Sequence, residues 1–200
     1  AFQSIYSGSQ FVPVPGDFDG DRRADPAALD KSSGFYRYYS SRYGYRRYYI
    51  PVNCYRSGFL NTAGDFDGDG EADPVAYLPS AAQSPWYVLL SGAGYGRYWT
   101  INWGGPNWVP FCCDYDGDRR GDLIGYSTAV YYWYVLLSGS GYRRSAQHQF
   151  GAAGYLPACG DFDGDRRADF ALYNPASGQW TALLSGMGYR NPITATWNGN

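Results

Sequence analysis

The chain has one histidine, His148, one lysine, Lys31, and one glutamate, Glu71, among its 200 residues. A single histidine excludes a multi-histidine metal centre and any symmetric set of imidazole acid–base groups. A single lysine leaves no lysine-rich stripe, and no nucleic-acid-binding module is visible, so nucleic acid is not an expected partner. No apolar run approaches the roughly 20 residues of a membrane-spanning helix, so no membrane insertion is expected. No secretory leader is visible either. Long helix-forming stretches are also missing. The 27 glycines and 12 prolines break the sequence into short apolar runs, and aromatic residues make up 20% of it. Tyr, Trp, Val and Thr favour strands, and Gly/Pro clusters bound them, which predicts an all-β chain.

Acidic residues are few outside four places. Of the 18 acids, 16 form four aspartate quartets, Glu71 lies inside the second, and only Asp30 falls elsewhere. The quartets are Asp17, Asp19, Asp21 and Asp25; Asp65, Asp67, Asp69 and Asp73; Asp114, Asp116, Asp118 and Asp122; and Asp161, Asp163, Asp165 and Asp169. Two carboxylates roughly 4 Å apart repel by about 4 kcal/mol at an effective dielectric near 20, so such crowding calls for protonation or a cation. The net charge of −2 hides a basic remainder in which 15 of 16 cationic residues are arginine.

The quartets begin at 17, 65, 114 and 161, giving steps of 48, 49 and 47. A fixed period of this size marks a repeat architecture. Each repeat carries a short apolar segment before its aspartates (FVPVPG, FLNTAG, WVPFCC, YLPACG) and another just after (PAALD, PVAYL, LIGYS, FALYN). A third follows about ten residues on (YRYYSSRYGY, WYVLLSGAGY, WYVLLSGSGY, WTALLSGMGY), and then a fourth (RRYYIPV, RYWTINW, SAQHQF, ITATWNG). Four short strands per repeat of about 48 residues predict a four-bladed β-propeller, a single domain over residues 1–200. Residues 1–15 resemble the end of a repeat, and the chain stops on a fourth-segment strand. The expectation is that this N-terminal strand completes the blade begun at Asp161 and closes the ring. An open stack or a fragment of a larger ring is the alternative.

Within each loop (17–25, 65–73, 114–122 and 161–169) the pattern is D-x-D-G-D-x-x-x-D. Carboxylate-rich oxygen ligands on a flexible loop select a hard cation and suit Ca²⁺ better than Mg²⁺. Glycine at the fourth position supplies the positive-φ bend that wraps the chain round the ion. The side chains at positions one, three, five and nine are the expected ligands, with a backbone carbonyl at position seven from Arg23, Glu71, Arg120 and Arg167. Four bound Ca²⁺ are expected. The loop starts like an EF-hand but closes at nine positions rather than twelve, between strands.

GDFDGDRRADPAALD and GDFDGDGEADPVAYL resemble FG-GAP/VCBS repeats, the calcium-loop units of integrin-alpha-type β-propellers, and WYVLLSGxGY is similar to bacterial secreted versions of that repeat. The resemblance spans essentially the whole chain. It implies calcium loops joining the first and second strands of each blade, a secreted, extracellular setting, and a role in adhesion, glycan binding or scaffolding. The sequence departs from the family pattern in its Arg pairs after the third aspartate, in a first blade whose YRYYSS replaces the apolar VLL core, and in having four blades where integrins have seven.

Other constellations are weaker. The Arg22–Arg23, Arg119–Arg120 and Arg166–Arg167 pairs read first as charge balance for the quartets, and second as a basic ring for anionic glycans or phosphates. Trp86, Trp133 and Trp180 share one repeat position, held by Tyr36 in the first, and read as packing between blades. Trp103, Trp108 and Trp197 are the candidates for stacking on sugars. Cys112 and Cys159 share a repeat position; they either meet across adjacent units or are buried thiols, and Cys54 and Cys113 show no metal spacing. With the quartet acids committed as ligands, a Ser-His-Asp arrangement would have only Asp30 or Glu71 for its acid. The chain is therefore read as a non-enzymatic module, an extracellular binding or adhesion protein for a glycan or protein ligand. The alternatives are a structural unit self-assembling through terminal strands into fibres or a surface layer, and an accessory domain of a secreted polysaccharide-active enzyme.

Overall fold

A computed structural model of the chain describes residues 10–51, 57–80 and 83–196. It is all-β, with sixteen strands in four antiparallel sheets of four, the blades of a four-bladed β-propeller. Blade one is β1 (Phe11–Pro13), β2 (Ala27–Asp30), β3 (Tyr36–Ser40) and β4 (Arg46–Ile50). Blade two is β5 (Leu60–Gly64), β6 (Asp73–Tyr77), β7 (Pro85–Leu89) and β8 (Tyr98–Asn102). Blade three is β9 (Trp108–Cys113), β10 (Asp122–Ser127), β11 (Tyr132–Leu136) and β12 (Ser145–Gln149). Blade four is β13 (Leu156–Gly160), β14 (Asp169–Asn174), β15 (Gln179–Leu183) and β16 (Ile193–Thr196). In every sheet the strands pair in sequence order.

Residue chemistry sets the gradient across each blade. The second strands AALD, DPVAY and DLIGYS are buried at every position, whereas the fourth strands RRYYI, YWTIN and SAQHQ put most or alternate residues in solvent. A strand buried on both faces is a continuous apolar run, and one with a wet face alternates or turns polar. The chain divides into two compact units, residues 1–106 and 107–200, each holding two blades. In the first, Val14, Phe18, Leu29, Tyr36 and Ile50 of blade one pack with Ala72 and Leu89 of blade two. In the second, Ile124, Tyr126, Trp133 and Val135 pack with Ala168, Phe170, Leu172 and Leu183.

Tyr36, Trp86 and Trp133 are wholly buried, as expected of packing residues, and Trp180 is half-buried. The Trp133 ring stacks on Phe170 of the adjacent blade at 4.4 Å between centroids. The expected pairing of the N-terminal strand into the last blade is not what the described residues form. Phe11–Pro13 pairs with Ala28–Asp30 of its own blade, and blade four takes all four strands from residues 156–196. The reason is local: the quartet turn folds the segment before it back onto the segment after it, in the first repeat as in the other three. Residues 1–9 lie outside the described residues.

Cys113 and Cys159 carry free thiols, and Cys54 lies outside the described residues. Burial and the neighbouring Cys113 push the Cys159 thiol well up. Cys113 and Cys159 both pack against the core of the second unit.

Candidate metal centre

Each quartet loop joins the first strand of its blade to the second. In each, three carboxylates bring one oxygen apiece within 4.8 Å of one another: Asp17, Asp19 and Asp25; Asp65, Asp67 and Asp73; Asp114, Asp116 and Asp122; and Asp161, Asp163 and Asp169. These are positions one, three and nine. The expected fourth side chain, at position five, stands outside the group. Asp21, Asp69, Asp118 and Asp165 instead accept the backbone N–H two residues on, that of Arg23, Glu71, Arg120 and Arg167, at 2.8–2.9 Å. A short aspartate side chain reaches its own backbone more readily than the loop centre.

Position nine ties the loop to the blade. Asp25, Asp73, Asp122 and Asp169 are wholly buried. Their Oδ2 atoms accept the N–H of Phe18, Phe66, Tyr115 and Phe162 at 2.7–2.9 Å. Their Oδ1 atoms accept the N–H of Ser41, Ser91, Ser138 and Ser185 at 2.6–2.7 Å. Those serines begin the turn between third and fourth strands, so one carboxylate clamps two loops in every blade. The hydroxyls of Ser91 and Ser138 also reach Asp69 and Asp118 at 3.2 Å. The clamp serine went unread in the sequence, although the repeated LLSG was its signal.

Position one closes the loop. Asp17, Asp65, Asp114 and Asp161 accept on Oδ2 the N–H of Arg22, Gly70, Arg119 and Arg166 at 2.6–2.9 Å. The expected positive φ holds at the position-four glycines, from 70° at Gly20 to 84° at Gly164. It also occurs at position six, where Arg22, Arg119 and Arg166 sit at φ 70–71° and only blade two uses a glycine, Gly70. The arginine pairs therefore have a backbone task. Among the described residues no arginine closes an ion pair with a quartet carboxylate; the pair formed is Arg37 with Asp30.

Loops of neighbouring blades touch within each unit. The N–H of Ala72 donates to the Asp17 carbonyl, and that of Ala168 to the Asp114 carbonyl, both at 2.6 Å. Glu71 lies over Gly20 and Arg167 over Gly117, where an added Cβ would meet their side chains at 3.4 and 3.2 Å.

Burial is the largest influence on five of these carboxylates. Burial pushes Asp17, Asp65 and Asp114 up from the usual carboxylate range, and pushes Asp73 and Asp122 up to about 6. In blade four the buried Ser185 hydroxyl, equivalent to the Ser91 and Ser138 hydroxyls, has no hydrogen-bond partner. Glycines at the next position make room: a Cβ on Gly92, Gly139 or Gly186 would stand 2.7–2.9 Å from the position-three carboxylate. Converging carboxylate oxygens, an orphaned hydroxyl and a cradle that a methyl group would fill fit a metal ion held by hard oxygen donors.

Of the candidate sugar-stacking residues, Trp108 is half-buried. Its ring lies parallel to Tyr134 at 4.7 Å and so close over Gly125 that a Cβ there would fall 2.0 Å from it. Trp103 packs its ring 6.1 Å from Trp86 and accepts the Trp86 indole N–H on its carbonyl at 2.8 Å. Trp197 lies outside the described residues. The exposed rings include Tyr43, Tyr45, Tyr49, Tyr98 and Phe162. His148 stands among Tyr115, Phe170 and Tyr189, with Nε2 2.8 Å from the Tyr115 hydroxyl, and burial pushes its imidazole down. Asp30 is held by Ser32 and Arg37.

No protein-family model matches the chain, and no curated protein sequence is similar to it. Among solved structures, a protein of unknown function from Bacteroides caccae aligns with a TM-score of 0.53 at 9% sequence identity, over 96% of this chain and 63% of that one. The chain thus spans less than two thirds of that protein's length, and the likeness is one of fold.

Proposed function

We propose that the chain is a calcium-binding β-propeller serving as an extracellular binding or adhesion module. The observation that carries the calcium reading is the fourfold recurrence of three convergent carboxylates, each cluster held by the same backbone N–H clamp. Bound calcium would supply the positive charge that offsets the crowded carboxylates; Asp25, Asp73, Asp122 and Asp169 hold the loop against the blade, and the residues at positions one and three face the ion. The carbonyls of Arg23, Glu71, Arg120 and Arg167 are the proposed backbone ligands. The extracellular setting rests on the repeat resemblance.

A glycan is the proposed ligand class. Its aromatic contacts fall on exposed tyrosines such as Tyr43 and Tyr49, since Trp103 and Trp108 pack against their own blades. Elemental analysis after dialysis against micromolar calcium tests the metal: close to four ions per chain are expected, and a value near zero rejects the reading. A glycan array run in calcium and again in chelator tests the ligand. Binding lost on Tyr49→Ala supports it, and no binding to any glycan rejects it.

A further inference from the structure

We infer that the first blade holds the weakest of the four calcium sites, because its position-three aspartate is already engaged by the neighbouring hairpin. This rests on the calcium reading above. The hairpin turns are equivalent: the N–H of Tyr45, Tyr95, Tyr142 and Tyr189 donates to the carbonyl of Ser40, Leu90, Leu137 and Leu184. Ser40 therefore stands where the other blades have leucine. Two residues on, Arg42 stands where they have Gly92, Gly139 and Gly186.

Both differences fall on Asp19. Its Oδ2 accepts the Ser40 hydroxyl and, at 3.1 Å, the Arg42 N–H; its Oδ1 accepts the Asp21 N–H at 3.2 Å. Asp67 accepts only the N–H of Asp69 at 3.3 Å and of Gly92 at 3.1 Å, and Asp163 only those of Asp165 and Gly186, both at 3.1 Å. A carboxylate offers about four lone-pair directions, so Asp19 keeps one free where Asp67 and Asp163 keep two. Asp19 is also buried, whereas Asp67 and Asp116 are half-buried and Asp163 is exposed.

The Arg42 charge does not act alone. Its guanidinium and the Glu71 carboxylate both hang 3.9 Å from the point where a Gly20 Cβ would lie, so the two offset each other at this loop. The hydrogen bond from Ser40 sets the difference. A cation at blade one has a single free direction on Asp19 and shares the carboxylate with a charge-assisted donor that blades two and four lack, and weakening by the worth of one such bond corresponds to about tenfold in affinity.

The test is a calcium titration of the full chain, followed through the backbone amide resonances of Gly20, Gly68, Gly117 and Gly164. Gly20 is expected to respond at about tenfold higher calcium than the other three. Ser40→Ala should bring it close to them, and Arg42→Gly, which restores the residue of the other blades, should move it the same way. Gly20 responding with or before the others, or an order unchanged in both variants, overturns the inference. If none of the four glycines responds, the calcium reading falls and takes the inference with it.

Discussion

Blade one and blades two to four reach the same loop geometry with different hairpins. Blades two, three and four fill the third strand with WYVL, WYVL and WTAL, then close on a serine-glycine turn that forms one turn of 3₁₀-helix. Blade one builds the strand from Tyr36–Ser40, stacks Tyr38 between Phe18 and Tyr48 at 5.3 and 5.5 Å, and has no 3₁₀ turn. Yet Asp25 accepts the same two N–H groups as its three equivalents. The clamp needs only backbone donors and a buried carboxylate, so the core of a blade can be rewritten from aliphatic to aromatic without disturbing it. Position three has no such protection in blade one, where the Ser40 side chain adds a donor to the backbone N–H that the hairpin supplies in blades one, two and four.

Calcium removal should affect both kinds of blade and is expected to be the largest effect. Each filled site stabilises the native chain by about 2.7 kcal/mol at 100-fold excess over Kd. Chelator should therefore lower the melting temperature by many degrees, and unchanged melting would remove calcium from the comparison altogether.

Next in size is the loss of the clamp. Asp25→Ala strands the N–H donors of Phe18 and Ser41, and Asp122→Ala those of Tyr115 and Ser138 with a longer third from Asp116 at 3.3 Å, at about 1–3 kcal/mol per short-bonded donor. Measured in chelator, to exclude any metal contribution, the two variants should destabilise alike. A mild Asp25→Ala beside a severe Asp122→Ala would show that the clamp of blade one is not equivalent.

The aromatic replacement should be worth less. Tyr38→Val installs the residue of blades two and three but removes two ring contacts, for a loss of about 1–2 kcal/mol by denaturant unfolding. A neutral or stabilising result would mean that the tyrosine stack adds nothing to the core of blade one.

The smallest effect concerns position six. Arg22→Gly should stabilise by about 0.5–1 kcal/mol, since φ of 70° favours glycine, and Gly70→Arg should lose a similar amount. Equal and opposite changes would identify the backbone conformation, not the guanidinium charge, as the deciding factor.

Four strands per repeat and the positive-φ glycines were legible in the sequence because both follow from short-range rules: apolar runs bounded by turn residues, and a bend that a side chain would obstruct. Positions one, three and nine of the quartet were legible for the same reason. The turning back of the position-five side chain was not legible, since a spacing pattern does not say that Asp21 will accept the Arg23 N–H. Arg22 at positive φ was invisible, as arginine carries no signal for that conformation. Trp108 over Gly125 needs a cross-strand register, which no local pattern supplies. The pairing of Phe11–Pro13 was misjudged because end effects in a repeat are read by counting, whereas the chain follows the turn that lies next to it.

Each blade is drawn from one unbroken stretch of chain, its strands pairing in the order they are written. Every sheet hydrogen bond therefore closes a loop of modest length, so a blade can begin to zip as soon as its hairpins meet, without a search for a distant partner. In evolutionary terms, the unit that is copied when such a sequence lengthens is a whole blade with its aspartate loop already inside it. A duplication or deletion in steps of about 48 residues leaves no orphaned strand behind, and the fold can change its blade number by whole units rather than by repair.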